Sequence, residues 1–213
     1  MIADLSRARR ILCLGAHADD IEIGCGGTLL QIIAANPHVV IDWVVLSGNA
    51  ERAAEARHSY EAFTAQAGER QFIAKTFRDS YFPYIGGEIK DFFHELAREV
   101  APDLIFTHRR DDLHQDHRLV AELTANAFRG PTILEYEIPK FDGDLGPMNV
   151  YSPLSGEFAA EKTSKLLSHF PSQHAKPWFR EENFWALLRL RGLEAAAPLA
   201  EAFSCRKLVL GRP

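Results

Sequence analysis

Residues 11–28 read ILCLGAHADDIEIGCGGT. An apolar, strand-forming run stops at His17, and Asp19, Asp20 and Glu22 follow at once, ahead of a glycine cluster. A strand buried in a core has no use for an imidazole and three carboxylates. A strand of a parallel sheet does, because its carboxyl end opens on the crevice where ligands bind. The stretch therefore predicts a strand over 10–16, a chemically loaded turn, and a helix over 27–35 that closes near Asn36-Pro37. Gly24, Gly26 and Gly27 are expected to let that turn pass close beneath the site. They do not form G-x-G-x-x-G, and the acids before them would repel a pyrophosphate, which argues against a dinucleotide site.

Outward from this unit the pattern alternates. Residues 38–47 (HVVIDWVVLS) are β-branched and apolar, 51–67 are rich in Ala, Glu and Arg up to Gly68, and a third strand is expected at 71–77. Beyond the aromatic loop RDSYFPYIGGE come a helix at 88–100, a strand at 104–108 (LIFTH), a helix at 116–128 and a strand at 132–138 (TILEYEI). Strand and helix alternating at this spacing predict a mostly parallel sheet with helices on both faces, an α/β fold of three αβα layers. After residue 139 the rhythm breaks. The segment KFDGDLGPMNVYSPLSG (140–156) is too long for a plain connector and is expected to line or cover a site. Helices at 157–168 and 180–191 follow, and the apolar CRKLVL (205–210) is a candidate edge strand. The chain, 1–213, is read as one domain whose part from about 140 onward packs on the core.

Composition narrows the function classes. Hydrophobic residues make up 46% and charged residues 25%, as in ordinary soluble chains. The formal net charge of −5 gives no reason to expect nucleic acid or an anionic membrane as partner. No apolar run approaches the roughly 20 residues of a membrane span, and the N-terminus lacks a signal-peptide core. Cys13, Cys25 and Cys205 contain no C-x-x-C pair, which disfavours a thiolate zinc site and fits a reducing compartment, so the cytoplasm is expected.

A second polar cluster, THRRDDLHQDH (107–117), follows the fourth strand. Strands one and four are neighbours in the usual doubly wound order, so the two clusters are expected to face each other across the crevice. His114 and His117 are spaced i, i+3 and share a helix face. Imidazole and carboxylate without thiolate suit a catalytic zinc with an open position, although iron and nickel accept the same donors. Asp19, beside Asp20, is placed to take a proton from a metal-activated water, and a remaining histidine to steady an oxyanion. The competing reading is that Asp19, Asp20, Asp111, Asp112 and Asp116 merely cap helices. Arg109 and Arg110 form either a solvated loop pair or a contact to an anionic substrate group.

AHADDIEIGCGGT resembles the hallmark A-H-P-D-D-x-E-x-G-x-G-G-T of the PIG-L/LmbE family of zinc-dependent N-deacetylases. DLHQDH resembles that family's H-x-D-H motif, and KTSKLLSHFPSQ (162–173) and AEAF (200–203) are similar to its later segments. The resemblance implies a Rossmann-like sheet. It also implies His17, Asp20 and His117 as zinc ligands, Asp19 as general base, His114 as the residue that stabilises the oxyanion and helps protonate the departing amine, and Asp116 as the carboxylate orienting His114. By the same analogy Arg57 and Asp79 would contact substrate, a small N-acetylated sugar conjugate, and a homo-oligomer is compatible. Ala18 stands where the family has proline, and the T-x-G-E run after the second strand is missing, so the substrate cannot be borrowed from a family branch. Two rivals remain: a metallohydrolase for another amide or ester, and a non-catalytic sugar binder.

Overall fold

The structure, a computed structural model, describes residues 4–209. Five strands run parallel in sequence-linked βα units: β1 (Arg10–Gly15), β2 (Val40–Val45), β3 (Glu69–Ala74), β4 (Leu104–His108) and β5 (Thr132–Tyr136). The helices between them are α1 (Asp20–Ala35), α2 (Ala50–Phe63), α3 (Gly86–Glu99) and α4 (Gln115–Ala127). The remainder supplies β6 (Val150–Pro153), α5 (Gly156–His169), α6 (Glu181–Glu194) and β7 (Ala200–Ser204). The sheet order is β3-β2-β1-β4-β5-β7-β6, with β7 antiparallel to both of its neighbours. The expected α/β sheet with helices on both faces is what forms. Among the described residues no helix is long and apolar enough to cross a membrane.

The layers follow from side-chain alternation along buried strands. In β1, Ile11 and Cys13 join one core cluster with Phe63 of α2 and Leu166 of α5, while Leu12 and Leu14 join the other with Phe93 of α3 and Val120 of α4. Trp43 and Val44 of β2 divide in the same way. On α3, Ile89, Phe92, Phe93 and Leu96 are buried at i, i+3, i+4 and i+7, the spacing of a single apolar stripe. α1 differs: most of its residues are buried, because it is packed between the sheet and α5.

Several boundaries depart from the sequence expectation: α2 ends at Phe63 rather than 67, β3 is Glu69–Ala74 rather than 71–77, and Val150–Pro153, expected as loop, forms β6. Two further departures bear most on the site and the sheet. α1 begins at Asp20 rather than near residue 27, so the glycines lie inside the helix and not in a turn. A Cβ on Gly24 would stand 2.2 Å from the Tyr136 ring, one on Gly26 2.8 Å from Phe63, and one on Gly27 2.5 Å from Leu154. Close packing of a buried helix has overridden glycine's poor helix propensity. The second departure is at the C-terminal end. The last strand is Ala200–Ser204, interior to the sheet, whereas 205–209 form no strand and residue 210 lies outside the described residues. β6 is the edge strand instead.

A candidate metal and catalytic centre

The topology places the chemistry. Because β1 and β4 are hydrogen-bonded neighbours, the segments leaving their carboxyl ends lie side by side. His17 sits in the turn after β1, and Asp19 is the N-cap of α1 but makes no capping hydrogen bond with its side chain. Asp20 opens that helix. Across the crevice, His114 is the N-cap of α4, and Asp116 and His117 occupy its first turn.

Donor atoms of three residues converge here. His17 Nδ1 lies 3.1 Å from His117 Nε2 and 3.4 Å from Asp20 Oδ2, and His117 Nε2 lies 3.5 Å from Asp20 Oδ1. Their protons can be assigned from the opposite edge of each ring. His117 Nδ1 faces the Asp112 carboxylate at 2.9 Å, and His17 Nε2 faces Asp116 at 3.3 Å and Asp79 at 3.2 Å. Carboxylates only accept, so each outer nitrogen carries a hydrogen; the inner nitrogen of His117 then presents a lone pair, and that of His17 does so when its ring is neutral, as ligation requires. Two imidazole nitrogens and a carboxylate converging in this way are held together either by a proton on His17 Nδ1 or by a cation among them. Tetrahedral zinc with ligands at about 2.0–2.1 Å separates its donors by roughly 3.3 Å, so the residues fit that ion.

The surrounding charges agree. Burial alone would push His17 down, yet Asp20, Asp116 and Asp79 outweigh it and hold that imidazole's pKa well above its usual value, the sign of a point that seeks positive charge. Burial and the nearby His108 push His117 down to about 3, leaving it neutral and able to ligate. Burial would raise the Asp20 carboxyl, but the surrounding imidazoles of His117, His108 and His17 keep it well below the ordinary carboxylate range.

Asp19 is held differently. Its Oδ1 accepts from Arg52 Nη2 at 2.8 Å, while its buried Oδ2 has no partner among the described residues. Burial raises its proton affinity and Arg52 opposes the rise. Arg52 is itself fixed by Glu55 at 2.8 Å, by the Ser172 hydroxyl at 3.3 Å and by the Phe170 ring at 5.1 Å. Glu22, buried beneath, is pushed up to about 8 by desolvation and is neutral at pH 7.

The other expected residues fall into place unevenly. His114 packs edge-on to His17 and stacks on His117, with ring centroids 4.8 and 4.5 Å away. Its Nδ1 accepts the Asp116 N–H at 3.3 Å, which leaves its proton on Nε2, and burial holds its pKa below the usual value. The Asp116 carboxylate does not orient His114. It accepts from Ser80 and Phe82 N–H at 2.6 and 3.1 Å and faces His17, since residues i and i+2 of a helix start point in different directions. Ser80 takes a φ of 63°, an unusual conformation that places Asp79 against His17. Asp79 therefore reaches the cluster through His17. Arg57 does not reach it: exposed on α2, it lies over the Phe72 ring at 4.8 Å. Arg109 is buried under Gly146 and shows no side-chain contact to the three converging donors.

Three participants escaped the sequence reading. Asp112, expected only as a cap, fixes His117. Arg52, five residues before Arg57 in the same helix, holds Asp19. His108 ends β4 fully buried, 3.1 Å from Asp20 Oδ2 and stacked on His117. Its signal was available, because a histidine closing an interior parallel strand points into the same crevice.

Fold and site together define a class, and comparison with known proteins names it. Residues 12–128 match the family model PIG-L: GlcNAc-PI de-N-acetylase, and the chain belongs to that family. The uncharacterized deacetylase YaiS of Escherichia coli (strain K12) is 27% identical over 182 residues, covering 79% of this chain and 95% of that protein. Among solved structures, the N,N'-diacetylchitobiose deacetylase of Pyrococcus horikoshii aligns with a TM-score of 0.74 at 18% identity, over 94% of this chain and 85% of its own. The 4-carboxy-2-hydroxymuconate hydratase GalB of Pseudomonas putida KT2440 aligns with a TM-score of 0.76 at 14% identity, over 96% and 99%. These two likenesses speak to the fold alone, and they show that it carries more than one chemistry.

Proposed function

We propose that the protein is a zinc-dependent N-deacetylase that removes the acetyl group from an N-acetylated amino sugar conjugate. The observation that carries this is the convergence of donor atoms from His17, His117 and Asp20 beside a buried carboxylate oxygen of Asp19 that has no partner among the described residues. Family membership and the deacetylase relatives support it. Iron would suit the same donors.

Zinc held by His17, Asp20 and His117 would supply a Lewis acid for the amide carbonyl and lower the pKa of a water toward ~7. The chain's own residues do the rest. Asp19 Oδ2 takes the proton that water releases as its oxygen bonds to the amide carbon, while Arg52 keeps Oδ1 in place. His114 offers its Nε2 proton to the carbonyl oxygen as negative charge develops there. The C–N bond then breaks, the proton on Asp19 passes to the departing nitrogen, and acetate and a free amine result. Exposed Tyr81 and Leu113, next in the chain to Ser80 and His114, suit a flat apolar group attached to the sugar.

The test is mass spectrometry of a panel of N-acetylated glycosides incubated with the zinc-loaded protein. Loss of one acetyl group from a member of the panel, with matching acetate, is expected. Turnover of simple esters alone, or addition of water to an unsaturated acid as its hydratase fold neighbour suggests, would move the assignment to that chemistry.

A further inference from the structure

The loop over 139–149 is fastened beside the candidate metal ligands chiefly through Lys140. Lys140, with only 10% of its side chain exposed, places Nζ 2.9 Å from Asp112 Oδ1 and 2.5 Å from Asp144 Oδ2. Asp112 is the carboxylate whose other oxygen holds His117 Nδ1 at 2.9 Å, and its Oδ1 also accepts the His114 N–H at 2.8 Å. Asp144 turns back to accept the Leu113 N–H at 2.7 Å. A buried ammonium thus links two buried acids, one on the loop and one behind a metal-seeking imidazole. Gly146 supplies a second anchor by lying against the Arg109 guanidinium, where a Cβ would come within 2.8 Å of Nη2.

We propose that Lys140 is a positioning residue that couples the 139–149 loop to the metal position, an inference that rests on the metal-centre reading above. Without its ammonium, Asp112 and Asp144 face each other with one compensating charge fewer in a setting where carboxylates are expensive to leave unpaired. Asp112 is then free to turn away, and His117 loses the acceptor that fixes its tautomer. Loss of such an outer partner typically lowers metal affinity 10–100-fold. Coupling between two sites is reciprocal, so metal at His117 also holds the loop down.

The experiment measures zinc affinity by competition with a chromophoric chelator, and amide exchange of residues 140–146 with and without zinc. It uses the full chain, Lys140→Met and Lys140→Arg. Wild type is expected to bind zinc and to protect the loop more when loaded. Lys140→Met is expected to bind about 10–100-fold more weakly and to lose that zinc-dependent protection, and Lys140→Arg to recover part of both. If the Met variant does not fold, Lys140→Gln, which keeps a neutral donor and much of the volume, carries the same comparison. A purely structural staple would lower thermal stability and leave zinc affinity alone, so unchanged affinity in a folded variant overturns the coupling and spares the metal centre. A wild type that binds no divalent metal overturns both.

Discussion

At the scale of single residues, the centre divides labour between groups that look alike in the sequence. Asp19 and Asp20 are adjacent, yet one is surrounded by imidazoles and the other by a guanidinium. Asp19→Asn should therefore keep zinc while turnover falls by about 10²–10⁴-fold, read as kcat beside metal content. Arg52→Met should lower kcat at nearly constant zinc content, whereas Arg57→Ala, five residues on and stacked on Phe72, should change neither. A drop of equal size in both variants would remove Arg52 from its special place. The motif residues were legible because two clusters at two strand ends could not both be caps. The partners behind them were not, because which carboxylate faces which imidazole depends on how the first turn of α4 is oriented. Asp112 and Asp116 straddle His114 in the chain but serve His117 and His17. No spacing rule separates those outcomes.

At the scale of elements, helix α1 is the part most constrained by what surrounds it. Gly24→Ala should destabilise the protein by about 1–3 kcal/mol or more, measured by denaturant unfolding, because the new methyl meets the root of the Tyr136 ring. It should also weaken the 2.6 Å hydrogen bond from Tyr136 to the Leu14 carbonyl at the end of β1. Beneath the same helix, Glu201 of β7 accepts the Gly27 and Thr28 N–H groups at 2.9 and 2.7 Å, and Lys162 of α5 bridges Glu201 and the Ile23 carbonyl at 2.6 and 2.7 Å. Lys162→Met strands a buried carboxylate and should cost about 3–5 kcal/mol in the same measurement. This pair explains why β7 was illegible and CRKLVL was read in its place. A strand whose inward residue is a glutamate does not look buried until its lysine, supplied by another element, is known.

At the scale of the whole molecule, the order β3-β2-β1-β4-β5-β7-β6 makes the crevice and then closes it off. The parallel half was readable from the alternation of apolar runs and helices. After residue 139 the two helices were readable, 157–168 and 180–191 against the observed Gly156–His169 and Glu181–Glu194, but the strands were not, since β6 and β7 are short, antiparallel and joined through those helices. That second half is nevertheless wired into the chemistry. Ser172 and Phe170 brace Arg52, and Lys140 braces Asp112.

The segment matched by the family model ends at residue 128, yet every one of those braces comes from beyond it. A polypeptide cut to 12–128 would carry the recognisable signature and still bare the flank of α1 that Leu154, Leu166 and Lys162 cover. Expressed alone, such a piece should precipitate or bind hydrophobic dye rather than give a sharp melting transition, whereas the uncut chain should melt cooperatively. Where homology is easiest to detect and where a molecule can stand unaided are different borders.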